Sequence, residues 1–108
     1  MEVIFFREKS GREPIAEFLD GLPEKPLGKI FRDIETLAKH PHDLREPYAK
    51  HLEGSLWELR TRFSTNVYRI IYCIRDEKII LLHGFVKKTQ KTPLRDLEIA
   101  RRRYKELT

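Results

Sequence analysis

The chain has 108 residues, 40% hydrophobic and 36% charged, enough for one modest core, since this length buries roughly 60–70% of its unfolded surface. Its one cysteine, Cys73, excludes an intramolecular disulfide, and the absence of a long apolar run or a signal-peptide pattern leads us to expect a cytoplasmic protein without membrane contact. The net charge of +5 lies wholly in residues 84–108, with 8 basic against 3 acidic side chains, because residues 1–83 carry 14 of each; concentrated positive charge suggests a polyanionic partner or a solvated basic face.

Glu2–Phe6 (EVIFF) reads as a short strand buried on both faces. After the polar turn around Ser10-Gly11, Pro14 can open a helix whose stripe is Ile15, Phe18, Leu19 and Leu22. A second helix is expected from Leu27 to Lys39, where Leu27, Ile30, Phe31, Ile34, Leu37 and Ala38 recur at three- and four-residue spacing. Together they make a helical hairpin that covers one sheet face. Residues 41–55 read as irregular. His40, His42 and His51 match no compact metal-ligand spacing and are read as surface histidines, so no metal is expected.

The next segment alternates. In LWELRTRF, Leu56, Glu58, Arg60 and Arg62 share one face, and Trp57, Leu59, Thr61 and Phe63 share the packed one. In VYRIIYCIR, Arg69, Ile71 and Cys73 oppose Tyr68, Ile70, Tyr72 and Ile74. A third strand runs from Ile79 to Val86, with His83 on the same face as Ile79 and Leu81. Thr92-Pro93 reads as an N-cap and first-turn proline for a basic helix whose apolar stripe is Leu94, Leu97, Ala100, Tyr104 and Leu107. The expected class is α+β. It consists of an N-terminal strand, a two-helix hairpin, a three-stranded antiparallel meander and a C-terminal basic helix. Residues 1–108 are read as one domain.

LWELR, VYRIIYCI and LLHGFVKKTQKTP, in this order and followed by a basic helix, resemble the RelE/ParE toxin superfamily, and more narrowly its HigB-like, phage-derived branch. The resemblance implies a RelE-like small domain acting as the toxin of a type II toxin–antitoxin system. It implies a ribosome-dependent, metal-independent mRNA endoribonuclease that inhibits translation and arrests growth, and it implies no cofactor. Its partners would be a cognate antitoxin of helix-turn-helix, HigA-like type, the ribosome and mRNA, with operator DNA reached only through the antitoxin complex. ParE members share the fold and poison DNA gyrase. A non-enzymatic gyrase inhibitor therefore stays open, as does a nucleic-acid-binding partner of an antitoxin with no activity of its own.

Matched through the tyrosine–arginine pair, the resemblance gives Arg69 the role of a catalytic strand arginine and Arg60 that of a basic residue on the preceding strand. Lys87 or Lys88 takes the position of the basic pair in the loop after the last strand. Glu58 stands where RelE has a second strand lysine. No tyrosine occurs between Thr92 and Glu98, where RelE places its functional one.

Metal-free RNA cleavage drives the 2′-hydroxyl onto its own 3′-phosphate and expels the 5′-oxygen. The transition state needs fixed positive charge, which a guanidinium supplies with two-pronged hydrogen bonds. Arg69 on a central strand suits that role, and Arg60 as its cross-strand neighbour could clamp the same phosphate. For proton transfer, His83 titrates in the right range but sits on an apolar strand face, where histidines are more often core residues. Lys87 and Lys88 call for neighbouring positive charge, which Arg60 and Arg69 supply. Tyr68 and Tyr72 fit a proton-transfer role, base stacking or ordinary strand core. Arg62 and Lys91 are read as phosphate contacts, and Arg101, Arg102 and Arg103 as a backbone-contacting or solvated face. Trp57 is assigned to the core and Cys73 to an inert buried thiol.

Overall fold

The computed structural model of the chain describes residues 1–88 and 91–107. Thr89 and Gln90 of the KKTQK segment lie outside the described residues. The strands are β1 (Glu2–Phe5), β2 (Ala49–Glu53), β3 (Leu56–Phe63), β4 (Asn66–Arg75) and β5 (Lys78–Lys87), and the helices are α1 (Pro14–Asp20), α2 (Glu24–Lys39) and α3 (Leu94–Lys105). They form an α+β fold around one five-stranded sheet in the order β1-β5-β4-β3-β2. The first strand joins the β5 edge in parallel, and every other pairing is antiparallel.

Where an N-terminal strand beside three antiparallel strands was expected, the sheet is five-stranded and mixed, because β1 joins in parallel and β2 adds to β3. β2 was hidden because AKHLE mixes polar and apolar positions and carries a register shift between His51 and Glu53. α2 begins three residues before the expected Leu27. Pro26 lies in its first turn, where a missing N–H breaks no helical hydrogen bond.

The sheet separates two cores. On one face, Ile15 and Leu19 of α1 and Ile30, Ile34 and Leu37 of α2 pack on Leu59, Tyr68, Ile70, Tyr72, Ile79 and Leu81. On the other, Ala100 of α3, with Leu97, Tyr104 and Leu107, packs on Leu56, Ile71, Cys73, Leu82 and Phe85. Phe31, expected in the α2 stripe, is instead exposed. Among the described residues no helix is long and apolar enough to cross a membrane.

A β-bulge decides which side chains meet α3. Ile71 pairs with His83 but Tyr72 pairs with Leu81, so Leu82 is an extra residue on β5. The alternation slips by one there. Ile79 and Leu81 face the helical hairpin, whereas His83, Phe85 and Lys87 face α3. His83 therefore does not share a face with Ile79 and Leu81.

Candidate nucleic-acid interface

The antiparallel register arranges the α3 face of the sheet in cross-strand rows. Arg62, Val67 and Lys87 form the row nearest one end; Arg60, Arg69 and Phe85 form the next; Lys50, Glu58, Ile71 and His83 form the third. Arg60 and Arg69 are direct cross-strand partners, as the alternation led us to expect. Neighbouring strands lie about 4.8 Å apart, so Arg62 and Lys87 are separated by roughly 10 Å across Val67.

Behind the outer row lies a buried ionic cluster. Glu58 is fully buried, Arg69 is 1% exposed and Arg60 5%. Arg60 Nε donates to Glu58 Oε1 at 2.7 Å, and Arg69 Nη1 approaches the same oxygen at 3.5 Å. The second carboxylate oxygen, Oε2, accepts the Thr92 hydroxyl at 2.7 Å. Thr92 thus does not cap α3 as expected; Pro93 occupies the N-cap, and the threonine ties the segment before the helix to the sheet. Burial pushes the Arg69 pKa down, Glu58 pulls it back up, and Arg60 and Arg62 push it down further.

This cluster corrects the expectation for Arg69. A side chain only 1% exposed does not contact a phosphate in this conformation. Glu58, in the position where RelE has a strand lysine, supplies the counter-charge that permits two guanidinium groups to be buried. Arg60 differs from Arg69 in reaching the wall of a cavity and in lying 3.8 Å from Glu46.

Exposed cations surround the cluster. Arg62, Lys87 and Lys88 lie at the row end of the sheet. Lys91 and Lys50 line a second cavity of 300 Å³ together with His51, Leu52, Thr92 and Leu97. Lys50 was not singled out in the sequence because β2 was not recognised; its register beside Glu58 is what brings it here.

Other candidates go elsewhere. Tyr68 and Tyr72 are buried in the core under the helical hairpin, on the opposite side from the cations, so neither stacks on a nucleobase. Burial pushes the Tyr72 pKa up to about 12 and that of Cys73 up to about 11, which leaves the thiol inert. Arg101 is ion-paired to Glu53 at 2.6 Å. Arg103 donates to the Leu82 carbonyl at 2.8 Å and lies 3.8 Å from Glu8. Of the expected arginine run only Arg102 is fully exposed. His40 lies 3.9 Å from Asp43, while His51 bonds the Gly54 carbonyl and packs on Trp57, so these histidines do not converge.

His83 pins α3 to the sheet. Its Nε2 is 2.7 Å from Asp96 Oδ1, and its Nδ1 is 3.3 Å from Arg103 Nη1. A neutral ring satisfies both, with Nε2–H donating to the carboxylate and Nδ1 accepting from the guanidinium. Asp96 and Arg103 stand seven residues apart, two helical turns, and therefore on one face. Both ring nitrogens of His83 are thus engaged by α3 in this structure.

Burial, first, and then Arg103 and Arg95 hold its pKa below the ordinary value, with Asp96 opposing them. The unfolded chain takes up this proton near pH ~6.5, the folded one only at lower pH. The stabilisation is therefore complete above about pH 6.5 and is lost as pH falls through the lower folded value. His83→Gln should flatten the dependence of the urea midpoint on pH in that acid window; an equally steep variant would assign the titration to another group.

Two comparisons bear on identity. No curated protein matches the chain. The family model described as phage derived protein Gp49-like (DUF891) matches residues 17–105, from within α1 to the last residue of α3. That span takes in the whole cation-lined face, the buried Glu58 cluster and the helix that covers it. The chain belongs to the phage-derived Gp49-like family, a RelE-like toxin family of toxin–antitoxin systems, and this membership implies an antitoxin partner.

Proposed function

We propose that this chain is the HigB-like toxin of a type II toxin–antitoxin pair and that it arrests growth by metal-independent cleavage of mRNA on the ribosome. The observation that carries the reading is the Arg62–Val67–Lys87 row, two exposed cations about 10 Å apart with a second pair of guanidinium groups behind them. Family membership supports it, since the toxins of this family are often endoribonucleases.

In this reading Arg62, Lys87 and Lys88 hold the RNA backbone and stabilise the charge that builds on phosphorus as the 2′-hydroxyl attacks and the 5′-oxygen leaves. Arg60 and Arg69 contribute as fixed charges set into the sheet. Their shared carboxylate, Glu58, keeps them in place rather than acting on the substrate. Lys87 and Lys88 are the remaining candidates for moving a proton, because His83 is committed to α3.

The test is primer extension on cellular messages after induction. Wild type should produce truncated messages and growth arrest. Arg62→Ala combined with Lys87→Ala should reduce cleavage by at least ~100-fold, the usual cost of a lost charge-stabilising donor. Both residues are exposed, so the fold should be unaffected. Intact messages during arrest would sink the nuclease reading, and blocked supercoiling by the purified protein would then favour the gyrase one. Unchanged cuts by the double variant would move the site off this row.

A further inference from the structure

At the β2 edge of the sheet, pairing stops before β3 ends. Ala49 opposes Leu59, and nothing in β2 lies opposite Arg60 to Phe63. One further backbone bond, from Arg60 N to the Tyr48 carbonyl at 2.8 Å, closes the edge. Beyond it is a cavity of 210 Å³ lined by Lys29, Asp33, Pro47, Tyr48, Arg60 and Arg62.

Tyr48 is unlike the other tyrosines. The residue is 60% exposed, whereas Tyr68 and Tyr72 are core residues. Its backbone is fixed on both sides, because its N–H also donates to the Arg45 carbonyl at 2.9 Å. An exposed aromatic residue on a fixed backbone beside cations is the combination that single-stranded nucleic acid uses, with bases on the ring and phosphates on the cations. The one carboxylate in the lining, Asp33, accepts the Thr61 hydroxyl at 2.6 Å. Lys29, which also lines the cavity, donates to the Arg62 carbonyl. The space is smaller than the ~300–1,000 Å³ of drug-sized pockets, which suits one planar base whose ribose and phosphate stay outside.

We propose that this cavity is a nucleotide subsite: one base of single-stranded RNA stacks on Tyr48, and its phosphate is held by Arg62 with Lys29 adding charge. The proposal deepens the RNA-cleavage reading and rests on it. Arg62 joins the two, since it ends the cross-strand row and also lines the cavity. RNA thus runs from the Lys87 side of the sheet, past Arg62, and over the β3 edge. An antitoxin segment is the competing occupant. Lys29 and Arg62 in the cavity lining favour a phosphate-bearing ligand.

The test uses a labelled RNA hexanucleotide carrying 2′-O-methyl groups, which cannot be cut, and the intact protein. Tyr48→Ala should weaken binding about 10-fold, within the range for loss of one base–aromatic stack, and Tyr48→Phe should stay within about twofold. Arg62→Ala should weaken binding and reduce the salt slope by about one. A duplex of the same length should be insensitive to Tyr48→Ala, since its bases are already stacked inside. Wild-type affinity in Tyr48→Ala overturns the subsite, as does equal weakening by Phe and Ala. So does a Tyr48→Ala protein that binds RNA normally but escapes its antitoxin. Messages cut in cells while Tyr48→Ala leaves RNA affinity unchanged would remove the subsite alone. Weakened RNA binding with messages left whole would instead remove the cleavage reading and keep the subsite.

Discussion

Glu58→Ala is expected to destabilise the protein by about 3–5 kcal/mol, the usual cost of stripping a buried charge of its partner. The carboxylate is fully buried and serves Arg60, Arg69 and the Thr92 hydroxyl. Its removal takes from two buried, cross-strand guanidinium groups the carboxylate they share, and it removes the Thr92 anchor of the segment that leads into α3. For a chain of this size that is a fall in Tm of well over 10 °C, and a large share of a total stability that is usually 5–15 kcal/mol. Thermal and urea unfolding measure it directly. Thr92→Val, which takes away only one neutral donor, should cost about 1 kcal/mol. Replacing Glu58, Arg60 and Arg69 together with apolar side chains of similar length should recover most of the loss, because the desolvation penalty disappears along with the charges. A Glu58→Ala protein as stable as wild type would mean that the cluster is hydrated rather than sealed.

The same cluster changes how activity data must be interpreted. Arg69→Ala leaves Glu58 with Arg60, so a drop in toxicity from that variant is ambiguous between lost chemistry and lost folding. Arg62 and Lys87 are exposed and carry no such ambiguity. That is why the decisive substitutions belong on the outer row and not at the position that the family resemblance first suggests.

How far the sequence could lead is visible at these residues. Strand alternation correctly puts Glu58, Arg60, Arg62 and Arg69 on one face, and register makes Arg60 and Arg69 partners. Alternation says nothing about what lies over that face. On that face α3 packs through Ala100 on the neighbouring Leu56, Ile71, Cys73 and Phe85, and Thr92 gives its hydroxyl to the distant Glu58 carboxylate rather than to its own helix. His83 lies on the face opposite to the one strict alternation predicts, because a single extra residue, Leu82, reverses every later position on β5. Lys50 and Tyr48 carry no such pattern. A short edge strand with exposed Lys50 and His51 leaves no periodic apolar signal, and only the partner strand reveals it.

Gly84→Ala is the second large effect expected, and it explains a glycine in the HGFVKK stretch without any appeal to chemistry. A Cβ built at Gly84 would lie 2.4 Å from Phe18 Cδ2, 2.8 Å from Cε2 and 2.9 Å from Cγ. The ring of α1 therefore rests directly on the strand backbone, at a point where any side chain would displace it. The need is for space and not for an unusual backbone angle, since the positive-φ glycines are Gly11 and Gly54. Overpacking of this kind costs about 1–3 kcal/mol. The damage should propagate, because lifting Phe18 also pulls on Ile15 and Leu19, which anchor α1 in the core. Phe18→Leu in the Gly84→Ala background removes the ring edge and should recover at least half of the loss, although Phe18→Leu alone is destabilising. Contacting residues that share one cavity should show such coupling. Additive losses in the two single variants and the double would mean that the ring moves aside freely, and that Gly84 is there for some other reason.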